Sequence, residues 1–275
     1  SFMNDGCKAS ENFENYLNKY PEGRNKISAH NYLASCYYEN KDYDKSLEHY
    51  ELLASYKGFS NEEEVVARCA EMLYDKKEFT KAYDYFRRLL LITSDENTKN
   101  IGATGMLRCA YNDSNYEKTV EIADIILGKG VKDNNLEREA HYKRMKSFLA
   151  LNKNANAVKD MEFLKEDTRL ENGSEAQYLL SEYYYQNGEL DNAEKQIFEF
   201  IDKGSVHQYW LAKSFILLSD VYKDKNDMFQ AKQYLLSLKN NYKGDSEILE
   251  EAQKRLDAIE KIETETVYEI NDEVE

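Results

Sequence analysis

The chain has 275 residues, and its 52 acidic side chains against 37 basic ones give a formal net charge of −15. This balance disfavours nucleic acid and anionic membrane surfaces as partners, because both need a basic footprint. One proline and 11 glycines are too few for the many tight turns of an all-β fold. No stretch approaches the ~20 apolar residues of a membrane-spanning helix. We expect an acidic, all-helical protein rich in tyrosine, with 23 of them.

A sequence pattern recurs along the chain: a large residue, two residues, a small residue, three residues and a large apolar residue. It is clear in Tyr43-x-x-Ser46-x-x-x-Tyr50. Its copies lie 36 to 38 residues apart, which is the signature of a repeat architecture. The small residues at its centre are Ala9, Ser46, Ala82, Thr119, Ala157, Ala193 and Ala231.

A second pattern precedes each of the last six copies. In the first of them, His30, Leu33, Ala34 and Tyr37 follow the i, i+3, i+4, i+7 spacing of one helix face. Polar residues of turn composition separate the two patterns, as in the segment 39–42. Each unit therefore predicts a helix A, a tight turn and a helix B. The small residue would let helix B cross helix A closely.

The two patterns together, Leu33-Ala34-x-x-Tyr37 followed by a small residue and a large one, resemble the tetratricopeptide repeat. The resemblance covers residues 1–241 and implies an all-α superhelix, a right-handed solenoid of antiparallel helix hairpins. The family's early tryptophan is absent, and its late proline survives only as Pro21. The period is also longer than the family's length of about 34 residues.

The pattern predicts one solenoid over residues 1–262 and a flexible acidic tail over residues 263–275. The tail has six acids and no base. The parts of the solenoid are a partial repeat over 1–23, repeats over about 27–58, 61–94, 98–130, 136–168, 174–204 and 211–242, and a C-terminal capping helix over 245–262.

The partial repeat and the last repeat suggest a context for the chain. Residues 7–20 look like a helix B without its helix A, which indicates the C-terminal portion of a longer repeat protein. A short fraying helix is the alternative. The segment from Ala231 to Ile259 is similar to the C-terminal ends of bacterial envelope repeat proteins, including outer-membrane assembly and Tol-Pal-associated ones. That resemblance implies the cell envelope or periplasm.

The four cysteines form no Cys-x-x-Cys pair, so a zinc or redox motif is not expected. If each lies in a different structural unit, disulfides are improbable, and the four behave as small buried hydrophobes. This favours a reducing compartment, and the cytoplasm stays open as the alternative location. The cysteines are Cys7, Cys36, Cys69 and Cys109.

Catalytic chemistry is not expected. None of the four histidines lies in a metal-binding motif, and no Gly-x-Ser-x-Gly elbow occurs. The segment Gly128-Lys129-Gly130 lacks the rest of a phosphate-binding loop. We predict no enzyme, no cofactor, no metal and no small-molecule ligand.

The resemblance places ligands along the concave surface that the A helices line. Tyrosine suits peptide recognition there, because it combines a large apolar face with one polar group. The alternative is that the rings only fill space between adjacent A helices. The A-helix residues that face this surface form a stripe along the chain. Basic residues in the middle of the stripe and acidic ones at its flanks would steer a partner with an acidic centre. The predicted groove residues are Tyr38, Tyr74, Arg108, Tyr111, Lys146 and Tyr185.

The leading hypothesis is a non-enzymatic scaffold that binds a protein or peptide along this face, with no nucleic acid and no direct membrane insertion. One alternative is a purely structural segment of a larger repeat protein whose ligand site or catalytic domain lies outside this chain. Another is an enzyme, or a regulator of one, with a domain missing from the sequence.

Overall fold

A computed structural model describes Cys7 and residues 9–128 and 133–272, with side chains up to Thr264. This part of the chain contains fourteen α-helices and no strand. The helices are α1 (Ser10–Lys19), α2 (Lys26–Glu39), α3 (Tyr43–Ala54), α4 (Glu62–Asp75), α5 (Phe79–Ile92), α6 (Glu96–Asn112), α7 (Tyr116–Gly128), α8 (Asn134–Ala150), α9 (Asn154–Leu164), α10 (Glu171–Gln186), α11 (Leu190–Lys203), α12 (Gln208–Asp224), α13 (Met228–Asn241) and α14 (Ser246–Asp272).

The helices pair into hairpins within two compact units that divide between Lys143 and Arg144. Unit 1 holds α1, the hairpins α2/α3, α4/α5 and α6/α7, and the first part of α8. Unit 2 holds the rest of α8 with α9, the hairpins α10/α11 and α12/α13, and α14. Each predicted two-helix repeat contains one helix A and one helix B. The predicted fold class, all-α helical hairpins, is confirmed, whereas one continuous array over 1–262 stays a prediction.

Each hairpin has a small residue at the point where helix B packs on helix A. In α3 the Ser46 hydroxyl donates a hydrogen bond to the Ala34 carbonyl of α2, 2.8 Å away, so the two backbones are in close approach. A larger side chain at such a site would push the helix axes apart. Six of the seven predicted small residues have no exposed surface: Ser46, Ala82, Thr119, Ala157, Ala193 and Ala231.

Six equivalent turns join helix A to helix B. In the first, Lys41 is left-handed at φ 62°. Its amide donates to the Tyr38 carbonyl at 3.0 Å, and the Asp42 amide donates to the Tyr37 carbonyl at 2.9 Å. These two hydrogen bonds supply donors to carbonyls that have no partner within the last turn of the helix. The residues in the left-handed position are Lys41, Lys77, Ser114, Asn152, Gly188 and Asn226. Only one is glycine, which accounts for the low glycine content.

The cysteine prediction is wrong for two residues, because Cys7 and Cys36 form a disulfide with their Cα atoms 5.4 Å apart. Position in different repeats does not separate cysteines when neighbouring elements of the array are in contact. Cys7 precedes α1, which packs on α2, and α2 carries Cys36. The other two, Cys69 and Cys109, are free and buried as predicted. The cysteines therefore no longer favour a reducing compartment.

The predicted boundary at Ile262 is also wrong, because α14 continues to Asp272. No glycine or proline interrupts α14, and α13 anchors it beyond the boundary. The Lys232 ammonium lies 3.3 Å from a Glu260 carboxylate oxygen and 3.1 Å from one of Glu263. A charged segment can extend a helix that a neighbouring helix already holds. Residues 273–275 of the predicted tail lie outside the described residues.

Two histidines meet between α2 and α3 in unit 1. The Nδ1 atoms of His30 and His49 are 2.9 Å apart, so one nitrogen must donate and the other accept. The His49 ring also stacks on Tyr37, with centroids 5.7 Å apart. Burial lowers the pKa of both imidazoles, and each histidine faces a lysine that lowers it further, Lys26 or Lys45. Glu14 and Glu48 partly oppose this at His49.

Replacing Ala193 with leucine should overpack the α10/α11 hairpin and lower the free energy of unfolding by about 1–3 kcal/mol. Trp210, the one tryptophan of the chain, lies in unit 2, so urea unfolding can be followed by its fluorescence. Lys195→Leu on the exposed face of the same helix is the matched control and should change stability little. Equal stability of Ala193→Leu and the control would contradict close packing at this site.

The histidine pair predicts a pH dependence of stability. Because the pKa values of the folded chain lie below the ordinary 6.5, the unfolded chain binds protons first as the pH falls through about 6.5. The free energy of unfolding should be fully present above this pH and decline below it. Urea unfolding followed by circular dichroism between about pH 7.5 and pH 5 should show a shallower decline for the double variant His30→Asn, His49→Asn. A His207→Gln variant, in unit 2, is the control. The same decline in the wild type and the double variant would refute the assignment.

Candidate functional site

The predicted groove residues of unit 1 bridge consecutive A helices. The Arg68 guanidinium of α4 lies 4.8 Å from the ring centroid of Tyr38 in α2, a cation–π distance. The Asn112 amide of α6 donates to the Tyr74 hydroxyl of α4 at 2.7 Å. Both tyrosines are half-buried against the unit 1 core. Each ring therefore holds its own helix A against the next one.

Arg108 and Tyr111 join α6 to α8 in the same way. The guanidinium of Arg108 donates from Nε and Nη2 to the two carboxylate oxygens of Glu139, each at 2.7 Å. The Lys143 ammonium lies 4.2 Å from the centroid of the Tyr111 ring. Burial lowers the pKa of Lys143, while the nearby Glu139 carboxylate opposes that effect. Planar bidentate pairing fixes the position of the Arg108 fork.

The two predicted groove residues of unit 2 also connect neighbouring A helices. The Lys146 ammonium of α8 lies 2.6 Å from the carboxylate of Glu175 in α10, which is buried. The Tyr185 hydroxyl of α10 donates to Asp224 of α12 at 2.8 Å. Burial and this hydrogen bond raise the pKa of Tyr185.

All six predicted residues thus take part in contacts between A helices, and the packing role of the tyrosines is established by the geometry. Partner binding by the same residues stays a prediction. The basic middle of the stripe is neutralised, because each of its cations has an acidic neighbour within its own unit. Arg108 and Lys143 share Glu139, Arg144 pairs with Asp160, and Lys146 pairs with Glu175. A partner with an acidic centre gains little steering from paired charges.

The Arg144–Asp160 pair is the most buried of these ion pairs. The shortest distance is 2.6 Å, between Nη2 and Oδ1, and the Asp160 side chain has no exposed surface. Removing one partner of a buried pair costs more than the pair contributes, because the remaining charge loses its counterion in a dry environment.

Replacing Arg144 with methionine should therefore lower the free energy of unfolding by about 3–5 kcal/mol. Urea unfolding followed by Trp210 fluorescence measures the change. Arg169→Met is the control, since the Arg169 side chain is 88% exposed in the pair with Asp167, and it should leave stability unchanged. The double variant Arg144→Met, Asp160→Leu should recover most of the loss. No recovery would mean that the arginine acts through packing rather than charge.

A groove of about 370 Å³ opens on the A-helix side of unit 1. Residues of α6 between Asn97 and Arg108 line it, and among them Ile101 is 50% exposed. The rings of Tyr74 in α4 and of Phe86 in α5, which is buried, also line it, as does Arg108. We call these residues, together with five polar or small ones, the α6 groove. The remaining residues of the α6 groove are Asn97, Asn100, Thr104, Gly105 and Asp133.

Two features of α6 make the groove. A Cβ at Gly105 would lie 2.3 Å from the Phe86 ring, so glycine is required for that ring to lie against the helix backbone. The Thr104 hydroxyl bonds to the Asn100 carbonyl of its own helix, 2.7 Å away. Arg108 Nη1 keeps hydrogen-bonding capacity beyond the Glu139 pair. The α6 groove therefore combines an aromatic floor, one exposed aliphatic side chain, and amide and guanidinium donors.

Sequence reasoning identified Tyr74 and Arg108 in this groove but missed Asn97, Asn100 and Ile101. The groove residues predicted on this helix, Arg108 and Tyr111, lie near its end, whereas α6 begins at Glu96. The missed signal was present in the sequence, because Asn97, Ile101, Thr104 and Arg108 follow helical spacing.

Within the part of the chain that the structure describes, no three His, Cys, Asp or Glu side chains are grouped so as to hold a metal ion. Among the same residues, no helix has the length and apolarity needed to cross a bilayer.

Residues 142–201 match a family described as Tetratricopeptide repeat. The C-terminal part of a TPR repeat-containing protein from Cytophaga hutchinsonii is similar in structure, with a TM-score of 0.61 and 14% identity, over 90% of this chain and 94% of that one. YrrB, described as a TPR protein with an unusual peptide-binding site, has a TM-score of 0.52 and 16% identity, over 76% of this chain and 99% of that one. No curated protein matches the chain.

The hairpins, their buried small residues and their common turn define a protein of the helical-repeat class. Residues 142–201 are those that match the tetratricopeptide repeat family, and the fold of the described residues is similar to that of tetratricopeptide repeat proteins of known structure.

Proposed function

We propose that the protein is a non-enzymatic interaction scaffold that binds an extended segment of another protein in the α6 groove. The observation that carries the proposal is that exposed Ile101 lines one groove with the rings of Tyr74 and Phe86. Exposed apolar side chains in a concave site mark binding surfaces, because their burial by a partner is favourable. The fold supports the class, and YrrB is described as binding peptides.

The chemistry of the α6 groove suggests what the segment carries. An apolar side chain would cover Ile101 and reach the Phe86 ring. The side-chain amides of Asn97 and Asn100 each offer donors and an acceptor, which match the peptide groups of an extended backbone. Arg108 would contribute a directed donor rather than a free positive charge, since Glu139 already neutralises it.

Selection of a phage-displayed random peptide library on the folded chain tests the proposal. Peptides recovered on the wild type should lose about tenfold or more in affinity for Ile101→Glu, because a charge replaces the apolar anchor. Ile125→Glu on α7 is the matched control, since Ile125 is 52% exposed and Ile101 50%. Binding should be retained by the control.

Two outcomes would count against the proposal. Equal loss for both variants would mean nonspecific apolar adhesion. Retained binding by Ile101→Glu, combined with loss in a Tyr74→Ala, Arg108→Ala, Tyr111→Ala variant that still folds, would move the site to the predicted tyrosine stripe. If no peptide is selected, the contacts between A helices favour the alternative of a purely structural segment.

We also propose that the protein works in an oxidising compartment, in line with the bacterial cell envelope that the C-terminal resemblance implies. Disulfides form and persist mainly in exported proteins. The Cys7–Cys36 bond supports this location over the cytoplasm.

A further inference from the structure

The docking of α1 on α2 leaves every residue of α1 at least partly exposed. None of the ten residues of α1 is buried. The Phe13 ring packs on Tyr32 of α2 with centroids 4.6 Å apart. The Tyr32 hydroxyl accepts a bond from the Ala9 amide at 3.3 Å, and the Tyr37 hydroxyl donates to Glu14. A helix of this length is marginal in water unless packing holds it.

The disulfide adds a covalent link at the same interface. Cys7 lies three positions before Ser10, the first residue of α1, and its partner Cys36 lies near the end of α2. Both cysteines are buried, at 1% and 5% exposure. The link keeps α1 beside α2, so the weak ring and hydrogen-bond contacts form at a high effective concentration.

We propose that the Cys7–Cys36 disulfide is a redox-dependent clasp that closes α1 over α2. With the bond formed, α1 covers Tyr32 and the helical turn of α2 that contains Cys36. With the bond reduced, α1 leaves α2 and uncovers that face, while the hairpins α2/α3 and α4/α5 stay folded. The clasp is independent of the α6 groove.

The closing step is a thiol–disulfide exchange with a disulfide oxidant. The thiolate of one cysteine attacks a sulfur of the oxidant and breaks its S–S bond, which releases one thiol and leaves a mixed disulfide. The second cysteine then displaces the other half of the oxidant as its second thiol. Cys7 and Cys36 together lose two protons and two electrons, and the oxidant gains them.

Hydrogen exchange of the full chain tests the clasp. The chain is measured after oxidation with glutathione disulfide and after reduction with dithiothreitol. Reduction should speed amide exchange in α1 about tenfold or more, and reoxidation should reverse the change. Exchange in α4 and α5 should not respond. Unchanged protection of α1 after reduction would overturn the proposal, and parallel loss in α4 and α5 would show global unfolding instead of a clasp.

A Cys7→Ser chain gives a second test that does not depend on a reductant reaching the buried bond. The amides of its α1 should exchange rapidly after treatment with either glutathione disulfide or dithiothreitol. The Cys36 thiol should also become accessible to an alkylating reagent. The free thiols of Cys69 and Cys109 are the internal control, since burial raises the pKa of each to about 12 and the folded chain should protect them. Slow exchange of α1 in the Cys7→Ser chain would show that noncovalent contacts suffice and would overturn the clasp.

Discussion

The close crossing of helix A and helix B is the constraint on which the rest of the structure depends. Each crossing is occupied by a side chain no larger than threonine, fully buried, as Ala82 and Ala193 illustrate. A hairpin this tight cannot bury both of its faces by itself, so stacking against neighbours completes the core. The repeat of 36 to 38 residues in the sequence is the chain length needed to return to the next crossing.

The common turn explains why tyrosine recurs at the end of helix A. The amide of the left-handed residue donates a hydrogen bond to the carbonyl of the residue three positions earlier. In four of the six turns the accepting residue is a tyrosine: Tyr38, Tyr74, Tyr111 or Tyr185. In unit 1 each of these rings also meets the first aromatic residue of helix B, as Tyr74 meets Phe79 at 5.5 Å. Fixed on one side by its own hairpin, the ring presents its other side to the next helix A. Part of the tyrosine excess is therefore structural.

Local periodicity made the hairpins predictable, whereas features that depend on docking between elements were not. The spacing around Ser46 and Ala193 reports a crossing inside one hairpin, so sequence alone suffices. The Cys7–Cys36 bond depends on how α1 lies against α2, and no spacing rule encodes that contact. The same holds for the extension of α14, which Lys232 of α13 anchors through Glu263. In the α6 groove, the roles of Gly105 and Ile101 depend on the position of Phe86 in a different helix.

Charge pairing along the A helices bears on how a partner would be recognised. The basic side chains in the middle of the stripe are held by carboxylates such as Glu139 and Glu175, so they offer little unpaired positive charge for steering. Specificity for a partner at these residues would come from apolar burial and directed hydrogen bonds. The α6 groove has both, because Ile101 is exposed beside the aromatic floor and Arg108 is fixed in direction by its pair. The ion pairs that stabilise contacts between helices therefore have a second effect. They make shape, rather than charge, the basis on which the proposed site would select its partner.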